Sequence, residues 1–178
     1  MNNKLSTYID LLLKWNKTHS VTNYNKQELQ EQIEITLKAV EFLDKEIKTA
    51  IDIGTGAGIP GLILAINMPN TKWYLIEPLQ KRYSFLNYAK LLLKIDNVSI
   101  IPKRIEKIEP FQVDLITSRA VKNTKFLIEL SKGFYNKDTT FLLYKGENVK
   151  KEIEEIKAKE KNIYQNSKIN YLLLKGIE

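Results

Sequence analysis

The sequence has no cysteine and only one histidine among its 178 residues. Without cysteine the chain can form neither disulfides nor thiolate zinc sites, and it has no cysteine nucleophile. The single histidine, His19, disfavours a His-based catalytic triad and a His-rich metal site. We therefore expect a protein that binds no metal and folds without covalent cross-links.

Long hydrophobic runs are also absent. The longest apolar stretch, around residues 59–68, is far shorter than the ~18 residues that a membrane-spanning helix needs. The N-terminal segment is interrupted by Asp10 and has no small-residue cleavage site, so it does not resemble a signal peptide. We expect a cytoplasmic protein that does not interact with membranes.

Arginine is scarce although the chain is basic. Lysine and arginine together number 28 against 21 acidic residues, a net charge of +7, and only Arg82, Arg104 and Arg119 are arginines. Such a charge is typical of nucleic-acid-binding proteins, but a lysine-rich proteome would also produce it. Each arginine is a candidate for a contact that needs a planar guanidinium with five donors.

The hydrophobic pattern predicts an α/β domain preceded by helices. Apolar residues at helical spacing predict two helices, at 5–13 and 29–47, separated by a polar loop at 19–25. We expect residues 1–48 to form a helical extension packed on a main domain at 49–178. The extension is too small to have its own core.

From residue 49 onward, strands and helices alternate every 20 to 25 residues, roughly the spacing of a doubly wound, mostly parallel sheet. Helices are expected on both faces, and a terminal hairpin would bring the sheet to seven strands. The predicted strands cover 50–53, 73–76, 98–101, 113–117, 139–144, 162–165 and 169–174, and the predicted helices cover 60–66, 79–93, 126–130 and 149–157.

A glycine-rich segment at 52–61 lies between the first strand and the helix that follows it. Gly56, Gly58 and Gly61 match the spacing found in dinucleotide-binding loops. Gly54, Gly56 and Gly58, with Asp52 two residues earlier, match the first motif of S-adenosylmethionine-dependent methyltransferases. Asp52 suits a ligand with an ammonium and a sulfonium better than a pyrophosphate. A glycine-rich turn without a ligand is the less favoured reading.

Glu77 ends the second predicted strand about 20 residues beyond this loop, where an acid can accept hydrogen bonds from ribose hydroxyls. Both cofactors contain such a ribose. Glu77 therefore supports an adenosine-type cofactor without choosing between them.

Several motifs together resemble the glucose-inhibited division protein B family, bacterial methyltransferases that modify guanine N7 in small-subunit ribosomal RNA. They are Lys-Trp-Asn-Lys at 14–17, the loop at 52–61, Leu-Gln-Lys-Arg and Phe-Leu within 79–86, Ser-Arg-Ala at 118–120 and Tyr-Lys-Gly at 144–146. The chain departs from the family at 31–36, where an Arg-His-Leu-Leu-Asp-Ser-like stretch is usual, and at Glu77-Pro78, where an acid-Ser pair is common.

The resemblance implies a methyltransferase sheet, S-adenosylmethionine as cofactor, and 16S ribosomal RNA or the small ribosomal subunit as partner. Nothing in the sequence demands more than a monomer, so we expect a monomer. Because guanine N7 has a free lone pair, no general base is expected, and Arg119 would position the substrate. The expected RNA contacts are Lys81, Arg82 and Lys145. The expected cofactor contacts are Asp52, Gly54, Thr55, Gly56, Ala57, Gly58, Glu77, Pro78, Ile105, Glu106 and Arg119.

Other interpretations stay open from the sequence. An NAD-dependent oxidoreductase could use the same loop, although a convincing set of hydride-transfer residues is missing. A small-molecule methyltransferase and a non-enzymatic RNA-binding module on the same fold are further alternatives. For single residues, Arg119 could instead form a salt bridge with Asp114, Lys81 and Arg82 could be solvated helix residues, and Trp15 is expected in the core.

Overall fold

The computed structural model describes residues 3–43, 46–119, 123–166 and 168–177. The chain begins with two helices, α1 (Asn3–His19) and α2 (Lys26–Lys38), and a 3-10 turn (Ala39–Phe42) extends α2. His19, predicted in the loop, is the last residue of α1, and the helical pattern predicted to reach residue 47 ends at Phe42. Asn25 caps α2, because its side chain accepts the Glu28 N–H and the Glu28 carboxylate accepts the Asn25 N–H.

The main body is a seven-stranded sheet. Its strands are β1 (Thr49–Ile53), β2 (Lys72–Ile76), β3 (Val98–Ile101), β4 (Leu115–Arg119), β5 (Thr140–Lys145), β6 (Ala158–Gln165) and β7 (Asn170–Ile177), and the remaining helices are α3 (Gly61–Asn67), α4 (Gln80–Leu92), α5 (Thr124–Leu130) and α6 (Val149–Glu152). The strand order is β3-β2-β1-β4-β5-β7-β6. The first five strands run parallel, and β7 is antiparallel to both β5 and β6. This confirms the predicted mostly parallel α/β sheet.

The central strands β1, β4 and β5 are buried on both faces, and successive side chains of each strand point to opposite sides. In β1, Ala50 belongs to a core shared with α1 to α4, whereas Ile51 and Ile53 belong to the core on the other face. Two tyrosine hydroxyls tie α2 to the sheet: Tyr144 donates to the Thr36 carbonyl at 3.1 Å and Tyr171 donates to the Ile35 carbonyl at 2.9 Å. The N-terminal helices therefore share the core of the sheet.

Several boundaries differ from those predicted. The strand predicted at 113–117 starts at Leu115, because the Asp114 side chain instead accepts hydrogen bonds from the Lys48 and Thr49 backbone. The charged helix predicted to reach residue 157 ends at Glu152, and the chain then forms β6, which is four residues longer at its start than predicted. Pairing along β7 overrides the helical preference of this lysine- and glutamate-rich segment. Pro60, predicted at the first position of a helix, precedes it as the N-cap.

The order of the strands determines where a ligand can bind. From β1 the chain moves outward to β2 and β3, then returns to place β4 on the other side of β1. At such a reversal the loops that follow β1 and β4 diverge and leave a crevice beyond the carboxyl ends of the strands. Among the described residues, no helix is long and apolar enough to span a bilayer.

Candidate active site

A cavity of about 620 Å³ lies at this reversal, within the usual size range of small-ligand sites. Its walls come from the loops after β1 and β2, the end of β4, the start of α4, the loop after β3 and the segment between α1 and α2. The lining residues are Val21, Thr22, Tyr24, Gly54, Thr55, Gly56, Ala57, Ile59, Glu77, Pro78, Leu79, Arg82, Arg104 and Arg119.

The glycine-rich loop turns sharply against the end of β2. The Gly54 and Thr55 N–H groups both donate to the Ile76 carbonyl, at 3.0 and 3.1 Å. Gly56 has a φ of +61°, a conformation that side chains disfavour. A Cβ at this position would meet no atom within 4 Å among the described residues. The space in front of Gly56 is therefore open to a ligand that approaches the backbone closely.

Gly58 and Gly61, later in the loop, allow close packing of neighbouring atoms. A Cβ on Gly61 would stand 2.5 Å from both Asp52 Oδ2 and Leu75 Cδ2. Gly61 thus lets α3 approach the sheet. A Cβ on Gly58 would meet Leu62 Cβ at 2.7 Å, and Gly58, which was predicted to contact the cofactor, does not line the cavity.

Asp52 lies beneath the loop and does not line the cavity. It is fully buried, its Oδ2 accepts the Gly61 N–H at 2.9 Å and its Oδ1 accepts the Thr117 hydroxyl at 2.8 Å. Burial raises the pKa of this carboxyl to about 6, although its hydrogen bonds lower it. Asp52 therefore links α3 to β4 through hydrogen bonds. The sequence had suggested that it would face a ligand ammonium, and the structure does not place it there.

Glu77 lines the cavity and links the loop after β1 to the turn after β2. Its Oε2 accepts the Gly56 N–H at 2.9 Å and its Oε1 accepts the Leu79 N–H at 2.9 Å. Arg82 Nη1 lies 3.8 Å from Glu77 Oε2. Because each carboxylate oxygen has a second lone pair, Glu77 can still accept hydrogen bonds from a ribose.

All three arginines of the chain line this cavity, and no lysine does so among the described residues. With Glu77 as the only lining acid in the described part of the chain, the cavity carries a net charge of +2. Arg119 Nη2 donates to the Tyr24 hydroxyl at 3.1 Å. The alternative salt bridge between Arg119 and Asp114 is wrong, because Asp114 binds the start of β1 at the opposite end of β4.

Two buried polar atoms of lining residues, Arg82 Nε and Arg119 Nη1, have no hydrogen-bond partner among the described residues. Unsatisfied buried polar atoms are costly, so their concentration around one cavity indicates a ligand that brings polar groups. The open space at Gly56, the acid for a ribose and the arginines for a carboxylate or phosphate fit an adenosine-type cofactor beside an anionic substrate. Among the described residues, no group of three or more acidic or histidine side chains could hold a metal.

Several predicted contacts lie away from the cavity. Ile105 is buried and Glu106 is exposed in a 3-10 turn, and the neighbouring Arg104 lines the cavity in their place. Lys81 Nζ donates to the Ser20 carbonyl at 3.0 Å, beside the lining residue Val21. Ala120 of the Ser-Arg-Ala motif lies outside the described residues.

Lys145, predicted to bind an RNA phosphate, is only 8% exposed. Its ammonium lies 2.8 Å from Glu152 Oε2, which also accepts the Thr124 hydroxyl and N–H. Burial alone would raise the pKa of Glu152, but the hydrogen bonds from Lys145 and Thr124 hold it below its ordinary value. The structure assigns Lys145 to an internal ion pair.

The residues from the segment between the first two helices were missed by the sequence reasoning. Asn16 holds this segment in place: its Oδ1 accepts the Val21 and Thr22 N–H groups at 2.7 and 2.9 Å, and its Nδ2 donates to the Thr22 carbonyl at 2.8 Å. Asn16 belongs to the Lys-Trp-Asn-Lys motif, which was the only signal in the sequence. Trp15 packs against the core as predicted, beside Phe85.

The chain is similar to known proteins that share one description. A family model described as "GidB: rRNA small subunit methyltransferase G" matches residues 1–175. The ribosomal RNA small subunit methyltransferase G of Campylobacter fetus is 43% identical over 176 residues, covering 99% of this chain and 95% of the relative. The protein of the same name from Helicobacter acinonychis is 48% identical over 155 residues, covering 86% of each chain.

Solved structures with low sequence identity share the fold. A SAM-dependent methyltransferase from Aquifex aeolicus superposes with a TM-score of 0.61 at 21% identity, covering 82% of this chain and 89% of that one. M. jannaschii TYW2 in complex with AdoMet superposes with a TM-score of 0.64 at 17% identity, covering 86% and 77%.

Proposed function

Since the chain belongs to the GidB family of rRNA small subunit methyltransferases, we propose that it transfers a methyl group from S-adenosylmethionine to N7 of a guanosine in 16S ribosomal RNA. The observation that carries this proposal is the cavity at the reversal of the sheet. It combines an open glycine backbone at Gly56, an acid at Glu77 and all three arginines of a lysine-rich chain.

The cofactor would be held mainly by the loop after β1 and the turn after β2. The backbone from Gly54 to Ala57 lines the cavity and can approach a ligand without a side chain in between at Gly56. Glu77 would accept the ribose hydroxyls, and Pro78 would cover the adenosine side. When bound, S-adenosylmethionine supplies a methyl group on a positively charged sulfur.

The chain supports the reaction through position and charge. Guanine N7 already has a free lone pair, so no proton has to leave before it attacks. In agreement with this, the only acid that lines the cavity among the described residues is Glu77, and it already accepts two backbone N–H groups. Arg119 would orient the guanine through O6 or bind its phosphate, because a guanidinium offers several donors to such oxygens, while N7 has to keep its lone pair free for attack. Rate enhancement then comes from holding the reacting atoms about 3 to 3.5 Å apart.

The RNA would approach over the basic rim of the cavity. Arg82 and Arg104 line it, and Lys81 lies beside it on α4. A net charge of +2 in the cavity and +7 on the chain favours a polyanionic substrate. The target base would have to leave its stack to reach the cavity. We propose that the protein acts as a monomer in the cytoplasm, with residues 1–48 as an extension on the domain at 49–178.

Methyl transfer tests the proposal directly. The protein is incubated with labelled S-adenosylmethionine and small ribosomal subunits from cells that lack it. We expect label in the 16S RNA with the wild-type protein and none with Gly56→Val. Calorimetry should show binding of S-adenosylhomocysteine and none of NADH, and the opposite result would support the oxidoreductase reading.

A further inference from the structure

The loop at 20–25, between α1 and α2, is held on the cavity from two sides. From α1, the Asn16 side chain makes three hydrogen bonds to the backbone of Val21 and Thr22. From α4, Lys81 Nζ donates to the Ser20 carbonyl at 3.0 Å. These contacts fix a segment without regular secondary structure, and they bring Tyr24 to the end of β4.

Tyr24 meets Arg119 in two ways. Its hydroxyl accepts a hydrogen bond from Arg119 Nη2 at 3.1 Å, and the guanidinium carbon lies 5.9 Å from the centre of its ring. Among the described residues, this hydroxyl is the only hydrogen-bond acceptor of the Arg119 side chain, which also has no salt bridge there. The Tyr24 N–H donates to Thr22 Oγ1 at 3.2 Å, which ties the tyrosine to the part of the loop held by Asn16.

The chemistry of this pair suits substrate binding. A carboxylate partner would fix Arg119 but would also offset its charge, whereas a neutral phenol fixes one end of the guanidinium and leaves the positive charge available. The Nη1 atom is buried without a partner among the described residues, so an incoming acceptor would remove an existing cost. The arrangement therefore holds an arginine ready for an anionic or guanine-like ligand.

We propose that Tyr24 is a positioning residue that orients Arg119 toward the RNA substrate, and that Asn16 serves the same purpose by holding the loop that carries Tyr24. This inference rests on the proposed function, since it assumes that Arg119 contacts RNA. It assigns a role in substrate handling to the N-terminal extension, although the cofactor loop and the end of β4 belong to the sheet.

The first test is Tyr24→Phe, which removes the hydroxyl and keeps the ring. We expect kcat for methyl transfer to RNA to fall about tenfold, the loss typical of one hydrogen bond to a charged group. The dissociation constant of S-adenosylhomocysteine should stay within twofold, because Tyr24 binds Arg119 and not the glycine-rich loop. Asn16→Ala should reduce kcat in the same direction with the same unchanged affinity.

Two matched variants control for general damage. Tyr164→Phe removes a hydroxyl from β6, away from the cavity, and Asn87→Ala removes an exposed side chain whose amide only caps a carbonyl within α4. Both should keep wild-type kinetics. Wild-type kcat in Tyr24→Phe, or an equal loss of S-adenosylhomocysteine affinity, would overturn the inference.

A double-mutant cycle measured by urea denaturation tests this inference independently of the proposed function. If the wild-type protein transfers no methyl group to RNA, the proposed function fails. The Tyr24–Arg119 contact is then judged by urea denaturation of Tyr24→Phe, Arg119→Met and the double variant. Non-additive shifts of the midpoint are expected because each single variant breaks the same contact, and additive shifts would refute the contact.

Discussion

Stepwise enlargement of Gly56 should remove cofactor affinity with little further effect on the fold. The Cβ of a residue here would project into open cavity space, and the backbone has a φ of +61°. The left-handed conformation costs a side chain about 1–2 kcal/mol of stability. Forcing extra carbon atoms into space that a ligand fills costs about 1–3 kcal/mol, which corresponds to about 5- to 150-fold in the dissociation constant. We expect about a tenfold loss for Gly56→Ala and at least about a hundredfold loss for Gly56→Val.

Substitutions at two other glycines serve as controls for Gly56. Gly61→Ala should destabilise the fold by about 3 kcal/mol, because its Cβ would press on Asp52 and Leu75 in the core. Gly146→Ala should change neither property, because its Cβ would meet nothing within 4 Å among the described residues and it does not line the cavity. Calorimetry with S-adenosylhomocysteine and urea denaturation measure the two effects. An unchanged dissociation constant in Gly56→Val would refute the assignment of this loop to the cofactor.

Three further predictions concern charged groups. Arg119→Ala should reduce methyl transfer at least about tenfold while S-adenosylhomocysteine affinity stays within about twofold, and a parallel loss in calorimetry would place Arg119 in the cofactor site. The raised pKa of Asp52 means that the folded protein keeps a proton that the unfolded chain loses, so stability should fall by about 2 kcal/mol as pH rises from 4 to 6.5. Urea denaturation across this range should show a weaker fall in Asp52→Asn, and equal slopes would contradict the burial argument. Lys145→Met should lower stability by about 1–3 kcal/mol, since the partly buried Glu152 loses its ammonium partner and keeps the hydrogen bonds from Thr124, with kcat unchanged. Loss of activity without loss of stability would return Lys145 to the RNA site.

Most of the fold could be predicted from the sequence because its strands and helices follow local hydrophobic patterns. Buried strands such as β1 and β2 are short apolar runs, and the glycines between β1 and α3 indicate a tight turn because they can adopt positive φ. The starts of β4 and β6 were less predictable. Both depend on a partner in another element: Asp114 binds the start of β1, which is 65 positions away, and the length of β6 follows from its pairing with β7.

The site could be predicted only in part, because several of its contacts join elements that lie apart in the sequence. Gly56 and Glu77 stand in a recognisable order along the chain, and the structure brings them together at 2.9 Å. Nothing local shows that Asp52 lies beneath the loop or that Lys145 pairs with Glu152. The contact between Tyr24 and Arg119 joins residues 95 positions apart, and its geometry is set by the whole sheet.

The most direct test of the central claim is nucleoside analysis of RNA labelled by this protein. Small ribosomal subunits from cells that lack it are incubated with labelled S-adenosylmethionine, and the 16S RNA is digested to nucleosides. We expect the label in 7-methylguanosine. Label in another nucleoside would contradict the assignment of guanine N7, and absence of label in the RNA would contradict the methyltransferase function.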